Sequence, residues 1–204
     1  MKKIFIYGDS NTWGYVPTLK PYDGNDDNTM RYDEKDTWWY ALTNDNVVYV
    51  NGCNGRTINN DHMDLPNRNS MKTINRDLVN DDIALTIIML GTNDLKDCYN
   101  LSVDDLINNM DKFLSIIKNR YQTEVMLICP PLIYDTVVTH EKYTDGINKV
   151  KEYEIKLKKY CLDNNYMFVS GINCEVGIDG EHLTKAGHKL LDEEVLKCLG
   201  TYCS

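Results

Sequence analysis

The chain has 204 residues and 42% hydrophobic content, enough to bury a full sheet-and-helix core, so a single domain spanning 1–204 is the expectation. A formal net charge of −9 with scattered basic residues argues against a nucleic-acid partner, and no segment approaches membrane-spanning length. Seven cysteines (Cys53, Cys98, Cys129, Cys161, Cys174, Cys198 and Cys203) form an odd set without CxxC or Cys/His ligand spacing; they read as reduced thiols of a soluble cytoplasmic protein, with no metal site expected.

Met1-Lys2-Lys3 imitates the start of a secretion signal, but the apolar run behind it is short and leads directly into Gly8. That run, Ile4–Tyr7, reads as a buried first strand, and Gly8 permits a sharp turn at its end. Further strand-like runs occur at Val47–Val50, Ile83–Leu90, Val125–Cys129 and Met167–Val169. Between them lie stretches of helical periodicity at Thr37–Thr43, Met71–Leu78, Val103–Arg120, Tyr143–Asn164 and Thr184–Leu199, with Thr37, Ser70, Ser102 and Thr184 as cap candidates. Alternating strand and helix implies a parallel sheet covered by helices on both faces. The Asp-, Asn- and Tyr-rich segment Val16–Asp36 reads as a long loop, either functional or a solvated insertion.

Chemistry is suggested by the turns at the carboxyl ends of the strands. Gly8-Asp9-Ser10-Asn11-Thr12 presents a serine at the carboxyl edge of the sheet with its N–H opening the next helix; it can attack a carbonyl there, or simply cap the helix. After the second strand comes Asn54-Gly55-Arg56-Thr57, and after the third Gly91-Thr92-Asn93-Asp94. In the common strand order 2-1-3-4-5 these turns flank Ser10 at the topological switch point, where open parallel sheets bind ligands. The Ser10 and Gly55 N–H groups and the Asn93 amide could then converge as an oxyanion hole, although singly Gly55 is an ordinary turn glycine and Asn93 an Asx-turn residue.

A base is offered near the C-terminus, where Asp179-Gly180-Glu181-His182 spaces a carboxylate and an imidazole so that one can hold the other; the competing reading makes Asp179 a helix-entry residue and His182 a surface group. His62 and His140 lie in loops that could rim a pocket, and His188 falls inside the last helix. Trp38-Trp39 read as core. Trp13 stands beside the proposed pocket, and Arg56 either contacts substrate or pairs with a surface carboxylate.

Taken together, Gly8-Asp9-Ser10, Gly55, Gly91-Thr92-Asn93-Asp94 and Asp179-Gly180-Glu181-His182 resemble, in order and spacing, the four motifs of the SGNH/GDSL hydrolase superfamily, over the whole chain. The stretches Gly8–Gly14, Asn54–Thr57 and Ile87–Asp94 are similar to the branch containing arylesterases, an ester-forming acyltransferase and acetyl-sugar esterases. The resemblance implies a three-layer α/β/α flavodoxin-like sandwich on a five-stranded parallel sheet of order 2-1-3-4-5. It also implies a Ser10, His182, Asp179 triad, an oxyanion hole from Ser10, Gly55 and Asn93, no cofactor, and homo-oligomer formation. Asn11 departs from the pattern, standing where the superfamily's name has Leu. The expected activity is hydrolysis of short-chain esters, acetyl esters of aryl groups, sugars or small alcohols, with water or another alcohol as acceptor. The alternative is a flavodoxin-like module whose Gly8–Thr12 turn cradles a phosphate or nucleotide, although no GxGxxG or P-loop signature is present.

Overall fold

The computed structural model describes residues 1–20, 22–62 and 65–202, with the side chains of residues 201 and 202 excepted; Cys203 lies outside the described residues. Five strands, β1 (Lys3–Gly8), β2 (Val47–Gly52), β3 (Leu85–Met89), β4 (Glu124–Cys129) and β5 (Met167–Ser170), form one parallel sheet in the order β2-β1-β3-β4-β5. The α-helices are α1 (Ser10–Trp13), α2 (Ser70–Asp77), α3 (Val103–Arg120), α4 (Gly146–Asp163) and α5 (Lys185–Tyr202).

Alternation along the strands creates the layers, because successive side chains point to opposite faces. Phe5, Tyr7, Ile88 and Leu127 pack with Leu106, Phe113, Val150 and Leu157 of α3 and α4. Ile4, Ile6, Ile87 and Ile128 pack on the other face with Trp38, Trp39, Leu42 and with Leu191 and Val195 of α5. A strand buried on both faces must be apolar throughout, which is why β1 and β3 stand out in the sequence.

Helix starts obey local chemistry. Ser102 and Asp105 form a reciprocal capping box at α3, and Thr184 Oγ1 accepts from the Gly187 N–H at 3.1 Å at α5. Two expected caps are corrected. At α2 the cap position is Asn69, and Ser70 is the first helical residue. Thr37 ends a short 3₁₀ turn, Glu34–Asp36, and its stretch continues as turns and a 3₁₀ segment, Tyr40–Asn44, in place of an α-helix. Trp38 and Trp39, in the turn between the two 3₁₀ segments, are both buried in the core.

No disulfide joins the described cysteines. Among the described residues no helix is long and apolar enough to cross a membrane, and no group of three or more His, Cys, Asp or Glu side chains is arranged to hold a metal ion.

Candidate active site

The site lies at the carboxyl edge of the sheet, around the central strand β1. Asp9 caps α1, its Oδ1 accepting the Asn11 N–H at 3.0 Å, so Ser10 becomes the first helical residue and not the cap. Gly8 is required less for its backbone angles than for room: a Cβ there would lie 2.0 Å from Thr12 Oγ1, an atom of the turn that raises Ser10 above the sheet. The Asp9 carboxyl is fully buried with Oδ2 unpartnered, and burial pushes its pKa up to about 6.

The turn after β5 brings the imidazole to the serine. His182 Nε2 lies 2.8 Å from Ser10 Oγ, and His182 Nδ1 lies 2.9 Å from Asp179 Oδ2. An ionised carboxylate only accepts, so Nδ1 carries the hydrogen and, in the neutral ring, Nε2 accepts the Ser10 proton. Asp179 is itself fixed: Oδ1 accepts the N–H groups of Glu181 and His182 at 3.2 and 3.1 Å, and Oδ2 also accepts the Thr18 N–H at 3.3 Å. The Tyr15 ring stacks on the imidazole with centroids 4.2 Å apart.

What fastens these distant turns together is Asn11. Its Nδ2 donates to the Glu181 carbonyl at 3.1 Å and its Oδ1 accepts the Leu183 N–H at 2.8 Å, bracketing His182 on both sides. The residue that departs from the superfamily's name is thus a buried strut between serine turn and histidine turn.

Ser10, Gly55 and Asn93 line one cavity with His182. Gly55 has φ +74, a left-handed conformation that glycine adopts without strain. Neither its N–H nor that of Ser10 has a hydrogen-bond acceptor among the described residues. Asn93 Nδ2 donates one hydrogen to the Arg56 carbonyl at 3.0 Å, leaving the second. Behind it, Asp94 holds the Gly55 turn in place, accepting the Ile58 N–H at 2.9 Å and Asn60 Nδ2 at 2.9 Å.

The cavity measures ≈ 280 Å³. Lys96, Lys142 and Glu181 also line it. Glu181 is buried, and although burial raises its pKa, the charges of His182, Lys142 and Lys96 and the Tyr143 hydroxyl, 2.8 Å from Oε2, hold it down at about 2. One wall comes from the Val16–Asp36 loop through Tyr22, Asp23 and Gly24, and His62 also reaches the rim.

Two expected substrate contacts are placed elsewhere. Arg56 is buried, its Nη1 donating to the Gly8 and Asn51 carbonyls at 2.8 and 2.5 Å and its Nη2 to Asn51 Oδ1 at 2.7 Å, with the guanidinium 3.9 Å over the Tyr7 ring. It therefore ties the ends of β1 and β2 together instead of facing the cavity, and its carboxylate neighbour, Asp77 at 3.6 Å, is buried as well. Trp13 lies under the Arg31 guanidinium, away from the cavity lining; the aromatic side chains that do line it are Tyr15 and Tyr22. Tyr22 belongs to the Val16–Asp36 segment and Tyr15 immediately precedes it, neither with a periodic signal, and only Tyr15's closeness to Ser10 in the chain could have drawn attention to it.

A parallel α/β sheet carrying a carboxylate-backed imidazole against a serine hydroxyl at its carboxyl edge defines the class of carboxylic ester hydrolases of the flavodoxin-like type. The chain belongs to the GDSL-like lipase/acylhydrolase family, whose model matches residues 6–190. Among solved structures it is similar to the native M. smegmatis aryl esterase (24% identity, TM-score 0.85, covering 98% of this chain and 99% of that one). It is also similar to Est24, a carbohydrate acetylesterase from Sinorhizobium meliloti (24%, 0.82, 97% and 100%), and to a member of the lipolytic G-D-S-L family from Veillonella parvula DSM 2008 (16%, 0.68, 97% and 97%). No curated protein sequence matches it.

Proposed function

We propose that the protein is a serine esterase that cleaves short-chain carboxylic esters through an acyl-enzyme formed on Ser10. Ser10 Oγ attacks the carbonyl carbon as His182 Nε2 takes its proton. Asp179 stays ionised and steadies the imidazolium, and the tetrahedral oxyanion accepts hydrogen bonds from the N–H groups of Ser10 and Gly55 and the remaining Asn93 hydrogen. Collapse expels the alkoxide, which receives the proton from His182. Water or a second alcohol then repeats the sequence on the acyl-enzyme, releasing acid or a new ester.

The observation that carries the reading is the unbroken chain of contacts Asp179, His182, Ser10 beside two unpartnered N–H groups. The substrate class is read from the cavity: it is small, and among the described residues that line it Leu65 is the only aliphatic side chain. A short acyl chain on a polar or aryl alcohol suits that lining better than a fatty acid, and the names of the aryl esterase and the carbohydrate acetylesterase agree with it. The phosphate-cradle alternative is disfavoured because it leaves the Asp179, His182, Ser10 chain of contacts without a role.

Ser10→Ala is expected to lower kcat for p-nitrophenyl acetate by about 10⁶-fold with the circular-dichroism spectrum unchanged, as loss of a triad nucleophile does. Substantial turnover by the purified variant, or failure of a fluorophosphonate to label Ser10 in the wild type, would overturn the assignment. A chain-length series of p-nitrophenyl esters followed by acetylated sugars then locates the preferred substrate.

A further inference from the structure

Lys96 comes just after the Gly91–Asp94 turn and lines the cavity that holds Ser10. Its Nζ donates to Asn93 Oδ1 at 2.7 Å. Asn93 is thereby held at both ends, since its Nδ2 donates to the Arg56 carbonyl at 3.0 Å. Rotating the amide by half a turn would set Nδ2 against the ammonium and Oδ1 against that carbonyl, two repulsive contacts, so one orientation is enforced. In that orientation the second Nδ2 hydrogen is free to serve the cavity.

The ammonium is an unusual group to find there. Among the described residues no carboxylate lies within 4.0 Å of it. Burial lowers its pKa from the ordinary lysine value; Glu181, Cys98 and Asp9 face it and act in the opposite sense, while the neighbouring Lys142 adds to the lowering. A cation withdrawn from water with no carboxylate in direct contact costs free energy that a neutral side chain at this position would not.

We propose that Lys96 is a positioning residue of the esterase: it locks the Asn93 amide with one N–H directed at the forming oxyanion and polarises that N–H by drawing charge toward Oδ1. The proposal rests on the serine-esterase reading and goes beyond it by assigning the orientation of one oxyanion donor to a lysine. Hydrogen bonds in series strengthen one another, and a positive charge at the carbonyl end of an amide makes its N–H a better donor. Because the oxyanion exists only in the transition state, the effect belongs in kcat and not in KM.

The test is a double-mutant cycle between Lys96→Met and Asn93→Ala, read as kcat and KM for p-nitrophenyl acetate. Loss of a whole oxyanion donor costs about 10²–10³ in kcat, so a donor left in place but unaimed is expected to lose about 10–10² while KM stays within about threefold. In the Asn93→Ala background, Lys96→Met is expected to add less than about threefold, because it acts through Asn93. Lys96→Arg, which keeps donor and charge, should recover most of the rate, and Lys96→Gln, which keeps a donor without charge, should fall between. An equal loss in both backgrounds, or a loss confined to KM, overturns the proposal. Should Lys96→Met not fold, the Gln and Arg variants carry the same cycle. A wild type that neither turns over ester nor is labelled at Ser10 would remove the esterase reading itself, whereas an active, labelled wild type with an unimpaired Lys96→Met variant removes only the role of Lys96.

Discussion

Replacing Asn11 by Leu isolates the strut between the two catalytic turns. The side chains are nearly isosteric, so no cavity is opened; what changes is that the Glu181 carbonyl and the Leu183 N–H lose their partners at a site where Asn11 is 1% exposed. Each buried backbone group left unpaired costs about 1–3 kcal/mol, or roughly 2–6 kcal/mol for the two. Burying two methyl groups in place of an amide returns about 1.5 kcal/mol, which leaves a net loss of about 0.5–4.5 kcal/mol with a midpoint of about 2.5 kcal/mol. For a chain of this size that corresponds to a fall in Tm of about 5–10 °C, readable by calorimetry or by urea titration. Activity should suffer more than stability suggests, because the same two bonds bracket His182: kcat for p-nitrophenyl acetate is expected to drop about tenfold or more, in line with the sensitivity of positioned groups to displacements of an ångström. A variant with unchanged Tm and unchanged kcat would show that the turns are held together by other means, and the strut argument would be wrong.

Two further perturbations probe other parts of the site. Burial pushes the Asp94 pKa up to about 7, well above the ordinary carboxylate value, so the unfolded chain ionises first as pH rises. Stability should therefore decline between about pH 4 and pH 7 and level off above, and Asp94→Asn should flatten that slope in urea titrations at a series of pH values; a wild-type stability that rises over this interval would contradict the assignment. Tyr15→Leu removes the ring stacked on His182 while keeping apolar bulk, and is expected to lower kcat about three- to tenfold with little change in Tm, as befits a contact of about 0.5–1.5 kcal/mol. An unchanged kcat would mean that the stack does not restrain the imidazole.

The parts of the fold that were legible in the sequence are those in which a single residue type answers a single physical demand. A strand buried on both faces must be apolar throughout, and Ile4–Tyr7 and Ile83–Leu90 announce themselves for that reason, although pairing trims the latter to Leu85–Met89. The glycines and polar residues just past each strand were legible as a group because the switch point of a parallel sheet collects them. Arg56 shows where such reading fails: an arginine beside a turn glycine suggests an exposed cation, and nothing local reveals that three backbone and side-chain oxygens of β1 and β2 are waiting to bury it. Asn11 was opaque for a related reason, since it acts through a partner 170 residues away, whereas Lys96 meets Asn93 only three residues back and gains meaning once both are seen to line the cavity. Tyr22 sits in the Val16–Asp36 segment, whose composition reads equally well as solvated loop, and Tyr15 stands immediately before it.

That segment is where chemistry and selectivity can be separated. The Val16–Asp36 loop closes at its base like a hairpin, with the Val16 N–H donating to Met30 O at 3.0 Å and the Tyr32 N–H to Gly14 O at 2.8 Å. Just past the closure Thr18 supports Asp179; further along, Tyr22, Asp23 and Gly24 form the cavity wall, tied to the body by Asn54 Nδ2 on Asp26 Oδ1 at 2.7 Å. Replacing residues 19–28 by a short Gly-Ser linker would leave the base, Thr18 and the sheet untouched while removing the wall. Since the wall would touch substrate equally in ground and transition states, its loss should raise KM about tenfold, roughly 1.4 kcal/mol of binding, with kcat changed by less than about threefold. Discrimination between acetylated sugars and p-nitrophenyl acetate should fall with it. A collapse of kcat in a folded variant would instead make the upper loop part of the machinery that aligns His182, and an unchanged KM would mean that substrate enters without touching this wall.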